Sequence, residues 1–153
     1  MKGLKWAFAT FATTGLLLAG CGEDVTQPPK SELMTTNNKD KGVLGDYCWE
    51  VEGKENCEKG EDIVETLEKA EAIPATMGTA LTLAIDSKDR PTSGELEWVT
   101  EEGKKGKEKL KGSLLFAPQD KGIYYYTYTA KWDGSGKKGY KGEAEYYYKL
   151  RVQ

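Results

Sequence analysis

The chain has 153 residues, a formal net charge of −3 and no histidine. Without histidine there is no Ser-His or Cys-His nucleophile pair, no imidazole base and no imidazole metal ligand. The acidic balance argues against nucleic acid as a partner, because phosphate binding needs a net basic surface or stripe, and here the many lysines are interleaved with glutamates.

Lys2 and Lys5 precede an apolar stretch over residues 6–19 that is too short to span a bilayer comfortably. That layout reads as a secretory signal over 1–20, with small residues at the cleavage point. Leu18-Ala19-Gly20-Cys21 resembles the lipobox of bacterial lipoproteins. The resemblance implies cleavage before Cys21, diacylation of its thiol, and a mature chain held by N-terminal lipid at the extracytoplasmic face of a membrane. Cleavage removes two lysines and no acid, so 20 basic side chains face 25 acidic ones, net −5. Gly22 is not the aspartate that resembles an inner-membrane retention signal, which in a two-membrane bacterium implies outer-membrane sorting.

Residues 21–43, from the lipidated cysteine onward, hold few apolar side chains and no usable period, and read as a flexible tether. From residue 44 to the end the pattern is that of one domain. Residues 46–51 alternate, Glu52-Gly53 can turn, and 54–57 return, which sets Cys48 opposite Cys57. An even pair of cysteines in an exported domain reads as a disulfide, since two cysteines without histidine fall short of a metal site. No metal and no cofactor is expected.

Residues 61–70 carry Ile63, Leu67 and Ala70 at helical spacing behind acids, the one stretch that reads as a helix. Residues 79–85 alternate as a strand with Leu81, Leu83 and Ile85 on one face, and 95–99 come next with Leu96 and Trp98 facing in. The charged, glycine-broken segment 101–109 reads as a turn, and 110–116 resume strand character.

Asp120-Lys121-Gly122-Ile123-Tyr124-Tyr125-Tyr126 resembles the tyrosine corner of immunoglobulin-like domains, with Tyr126 where a cysteine would stand. By that parity Tyr124, Tyr126, Tyr128, Ala130 and Trp132 point inward. The last strand repeats the rule with Ala144, Tyr146, Tyr148, Leu150 and Val152 inward, so the two form an antiparallel hairpin. Short strands with turn signals at regular spacing indicate an all-β, Ig-like antiparallel β-sandwich. Trp98 is expected at the core tryptophan position, with Leu83 and Tyr126 replacing the inter-sheet disulfide of antibody domains.

Gly45-Asp46-Tyr47-Cys48-Trp49, a second cysteine soon after, and the late tyrosine-rich hairpin together resemble small uncharacterised lipoproteins of Bacillus-type Gram-positive bacteria. Members usually show Gly-Ser-Tyr-Cys-Trp, and here Asp46 replaces the serine. The resemblance implies a fold and an address but no chemistry.

Gly134-Ser135-Gly136-Lys137-Lys138-Gly139 fits G-x-G-x-x-G, yet a dinucleotide site needs that run between a parallel strand and a helix. Between antiparallel strands it is a hairpin loop. Glu101/Glu102 and Glu143/Glu145 could serve as paired carboxylates, but they lie among lysines and glycines without a desolvating context. Asp133-Gly134-Ser135 lacks the further acids a calcium cage requires. No catalytic residue is assigned.

Tyr125 and Tyr147 face out on neighbouring strands by the same parity, flanked by Lys131, Lys149 and Arg151. This group, with the 133–142 loop, is the expected contact surface for an envelope protein or a cell-wall polymer. A cross-strand pair that only stabilises the sheet is the simpler alternative. The functional expectation is thus a lipid-anchored binding module. An envelope hydrolase using carboxylates and a structural or protective surface lipoprotein are the alternatives.

Overall fold

The structure is a computed structural model that describes residues 26–153. Segment 1–20 and the lipidation residue Cys21 lie outside them. In chain order the elements are β1 (Ser31–Met34), β2 (Lys39–Lys41), β3 (Val43–Val51), β4 (Lys54–Glu58), a helical turn α1 (Ile63–Thr66), β5 (Ile73–Ala75), β6 (Ala80–Ile85), β7 (Ser93–Thr100), β8 (Lys105–Glu108), β9 (Leu114–Phe116), β10 (Gly122–Asp133) and β11 (Lys141–Val152). They form two sheets, ordered β2-β1-β6-β9 and β4-β3-β11-β10-β7-β8. Every pairing is antiparallel except that of β5, which joins β11 in parallel beyond the end of β3. The chain is an all-β sandwich.

The inward faces of the two sheets are the expected ones. Tyr126, Ala130, Ala144, Tyr148 and Leu150 are fully buried, and Leu33, Leu81, Leu83 and Leu115 answer them from the small sheet. The core is unusually aromatic. Trp49 meets Trp132 edge to face at 5.1 Å, and Tyr128 stacks on Tyr146 at 6.2 Å, geometries that ring quadrupoles favour. Tyr124 donates its hydroxyl to the carbonyl of Asp120 at 3.0 Å, which closes the tyrosine corner. The β1–β2 hairpin edges the small sheet beside β6, and the β3–β4 hairpin edges the large sheet beside β11.

Four expectations need correction. Residues 31–41 are not tether: β1 pairs with β6, Leu33 sits in the core, and Ser31 bonds Tyr148 through their hydroxyls. One inward leucine and one small polar residue complete a strand when a neighbour supplies the ladder, so low apolar content there does not mean disorder. The segment 101–109 turns at Gly103 and then forms the edge strand β8, whose lysines suit an unpaired edge. Trp98 is only half-buried. It lies over Gly106, where any Cβ would overlap the ring, and Trp49 and Trp132 fill the core instead. The expected helix over 61–70 is one turn, capped by Asp62 through the N–H groups of Val64 and Glu65.

Candidate functional site

The outward residues of the large sheet divide into a covered half and an open half. Parity placed Tyr125 and Tyr147 correctly on this face, but neither is exposed: they are 4% and 6% accessible. Residues 61–70 lie over them, with Leu67 completing a second small core that Ile63, Ala70, Val99 and Ile123 flank. Segment 61–70 is amphipathic because it has this patch to cover, and the sheet alone offers no reason for it.

The structure corrects the expected contact surface residue by residue. Lys149 donates to the carbonyls of Leu67 and Glu68, each at 3.1 Å, and its ammonium lies 5.6 Å from the Tyr125 ring centre. Lys131 pairs with Glu143 directly across the β10–β11 ladder at 2.9 Å. Arg151 is exposed at the far end of β11, opposite Ile123. Of the five residues, Lys131 borders the larger open space, and Tyr125 reaches a smaller one of about 470 Å³ beside Trp98 and Gly106.

The larger space is a groove of about 1400 Å³ on the open half of the face, between the β3–β4 hairpin and the end of β10–β11. Asp46, Glu50, Glu55, Glu58, Asp133, Glu143 and Glu145 line it, against Lys59, Lys131 and Lys141. The disulfide hairpin builds one wall. Cys48 and Cys57 stand opposite each other as the register required, with Cα atoms 4.0 Å apart and sulfurs at bonding distance. The turn uses two left-handed residues, Glu52 at φ 50° and Gly53 at φ 76°, as a two-residue hairpin demands. The same register sets Glu50 against Glu55, a like-charge pair that Lys141 relieves at 2.9 Å from Glu50.

Burial holds the Glu145 carboxyl above the usual range, although the Tyr147 hydroxyl, donating at 3.0 Å, works the other way. Asp46 accepts the Gly60 N–H at 2.6 Å and so starts the covering segment from the groove's edge. Asp133 and Lys141, at the two ends of the glycine-rich loop, lie at the groove's other side. Asp133 accepts both the hydroxyl and the N–H of Ser135, and the Asp133 carboxyl is held low by those bonds. Asp89, buried, accepts the Lys138 N–H at 2.6 Å, while its carbonyl takes the Trp132 indole N–H at 3.1 Å. These bonds give the G-x-G-x-x-G run a turn's work between antiparallel strands.

Cys48, Glu55 and Cys57 are the one trio of metal-ligand type grouped closely among the described residues. With both sulfurs in the disulfide, only a single carboxylate remains to ligate, which does not make a metal site. The sequence signal for the groove was present in the Glu50/Glu55 register, because two glutamates forced opposite each other mark an outward, solvated face. The chain matches no protein-family model and no curated protein sequence.

Proposed function

We propose that this chain is a binding module of the bacterial cell envelope, anchored by lipid on Cys21 and acting on the extracytoplasmic side. Its partner occupies the groove beside the disulfide hairpin and presents lysine- or arginine-rich sequence. The supporting observation is the groove's charge: seven carboxylates against three lysines, on a part of the face that segment 61–70 leaves open. Complementary charge steers encounter and rejects partners of like sign. An anionic wall polymer would meet repulsion there, so a protein partner is the better fit.

In-cell crosslinking of the full chain, with affinity purification and mass spectrometry, tests this. The expected result is a protein whose crosslinks map to β3, β4 or the 133–142 loop and whose recovery falls sharply with Glu50→Gln plus Glu143→Gln. Recovery unchanged by that pair, with circular dichroism showing an intact fold, overturns the groove assignment.

One observation favours a second reading, hydrolysis by carboxylates. Burial raises Glu145 as a general acid requires, and Glu143 stands two residues away on the same face. Turnover of envelope glycan by the full chain, abolished by Glu145→Gln, would put this reading in place of the first.

A further inference from the structure

We infer that the outer face of the small sheet docks on the anionic bilayer that carries the lipid anchor; the inference rests on the lipidation of Cys21 proposed above. The ladder decides which residues face out. With Leu33, Leu83, Leu81 and Leu115 inward, the alternate row Met34–Thr82–Leu114 and its neighbour Ala80–Phe116 face outward. Phe116 is 49% exposed, the most accessible large apolar side chain among the described residues; Leu114, two residues before it on β9, and Met34, across Thr82 from Leu114, are half-buried. Scattered exposed apolar residues mean little, whereas a group sharing one sheet face marks a contact surface.

The rim of this face is basic. Lys39 and Lys41 stand on β2 opposite Met34 and Glu32, and Lys111 bridges to Leu114 on the other side. Glu32, the acid among these outward positions, is paired with Lys39 at 3.2 Å. An apolar centre edged by lysines is the pattern of a surface resting in the headgroup region of anionic lipid.

The anchor limits reach. β1 belongs to this sheet and begins ten residues after Cys21, a length that spans at most about 35 Å even when fully extended, so the outer face of the sheet stays within reach of the bilayer. In a two-layer sandwich the acidic groove lies on the opposite outer face, so an anionic bilayer repels that side and attracts this one. Docking would leave the groove turned away from the membrane and open to a partner. A two-fold pairing of this face with a second copy would instead bring the lysine rims together.

The test uses the lipidated chain in vesicles of phosphatidylglycerol and phosphatidylcholine with brominated acyl chains, with Phe116→Trp as the depth reporter. Quenching is expected beyond that of the parent's own tryptophans, buried Trp49 and Trp132 and half-buried Trp98, and it should be lost when Lys39→Glu and Lys41→Glu are added. Absence of quenching while mass spectrometry shows lipid on Cys21 overturns the docking and leaves the anchor standing. If Cys21 proves unmodified, the mature chain is sedimented with the same lipids. Binding to anionic but not to pure phosphatidylcholine vesicles, weakened about tenfold by Phe116→Asp, supports docking without the anchor, and no binding overturns it. A concentration-dependent dimer abolished by Phe116→Asp would assign the face to a second copy and overturn the membrane proposal.

Discussion

Lys149 Nζ lies 3.1 Å from the carbonyl oxygen of Leu67, and this contact fastens segment 61–70 to the large sheet. A single helical turn is not stable by itself, and its last carbonyls need donors from outside. Lys149 supplies them while Leu67 fills the space between Tyr125 and Tyr147. Leu67→Ala is therefore expected to cost about 2–3 kcal/mol, read as a lower urea midpoint. Lys149→Met keeps the side-chain stem and removes the ammonium, and should cost about 1 kcal/mol. In both variants nitration of Tyr125 and Tyr147 should rise. Unchanged stability and unchanged nitration would mean that the segment does not cover the tyrosines in solution.

The same substitution two residues apart should act with opposite sign. Tyr124→Phe removes the hydroxyl that bonds the Asp120 carbonyl and should destabilise by about 1 kcal/mol. The Tyr126 hydroxyl is buried without a hydrogen-bond partner, and burial pushes its phenol far above the usual tyrosine range. Tyr126→Phe removes an unsatisfied polar group and should be neutral or stabilising by about 1 kcal/mol. Equilibrium denaturation of the two variants side by side checks this. A loss at Tyr126→Phe as large as that at Tyr124→Phe would show that the Tyr126 hydroxyl has a partner after all.

The Cys48–Cys57 bond closes a short loop, with a sequence separation of 9, so its effect on the unfolded chain is modest. Reduction, or Cys48→Ala with Cys57→Ala, should cost about 2–3 kcal/mol. The loss should concentrate in β4, an edge strand held only by β3, because β3 keeps its ladder with β11. Amide exchange should rise over 54–58 and stay slow over 142–152. Equal acceleration of both segments would contradict that hierarchy.

What could be read in the sequence depended on how local its cause was. The inward parity of β10 and β11, the Cys48/Cys57 register and the Tyr124 corner depend on residues a few places apart, and each is present as expected. β1 is not legible locally because its ladder partner, β6, lies about fifty residues away and only that pairing makes Leu33 a core residue. The face of Tyr125 and Tyr147 was right but their exposure was not. Parity tells which side of a sheet a residue occupies, whereas covering that side is decided by a segment elsewhere in the chain. The groove arose in the same way, from acids on β3, β4, β10 and β11 that share a face only after the sheet forms.

Alkaline pH should unfold this protein through its tyrosines. Burial raises Tyr147, with the hydrogen bond and charge of Glu145 adding to it, until its phenol is pushed up to about 12. Tyr124, Tyr125, Tyr126, Tyr128, Tyr146 and Tyr148 are all shifted in the same direction, with burial the largest cause in each. The folded chain therefore keeps protons that the unfolded chain begins to lose near pH 10, the ordinary value for tyrosine. Stability is fully present below that pH and falls as pH rises through the raised values. Tyr147 alone accounts for about 1–2 kcal/mol of it once solvent screening is discounted. Urea midpoints measured at stepped alkaline pH should fall steadily, and less steeply in Tyr147→Phe. The phenolate absorbance should appear in one cooperative step together with loss of the near-ultraviolet circular dichroism. Independent titration near pH 10 with that dichroism intact would show that the phenols are open to solvent, and the buried aromatic core would then be wrong.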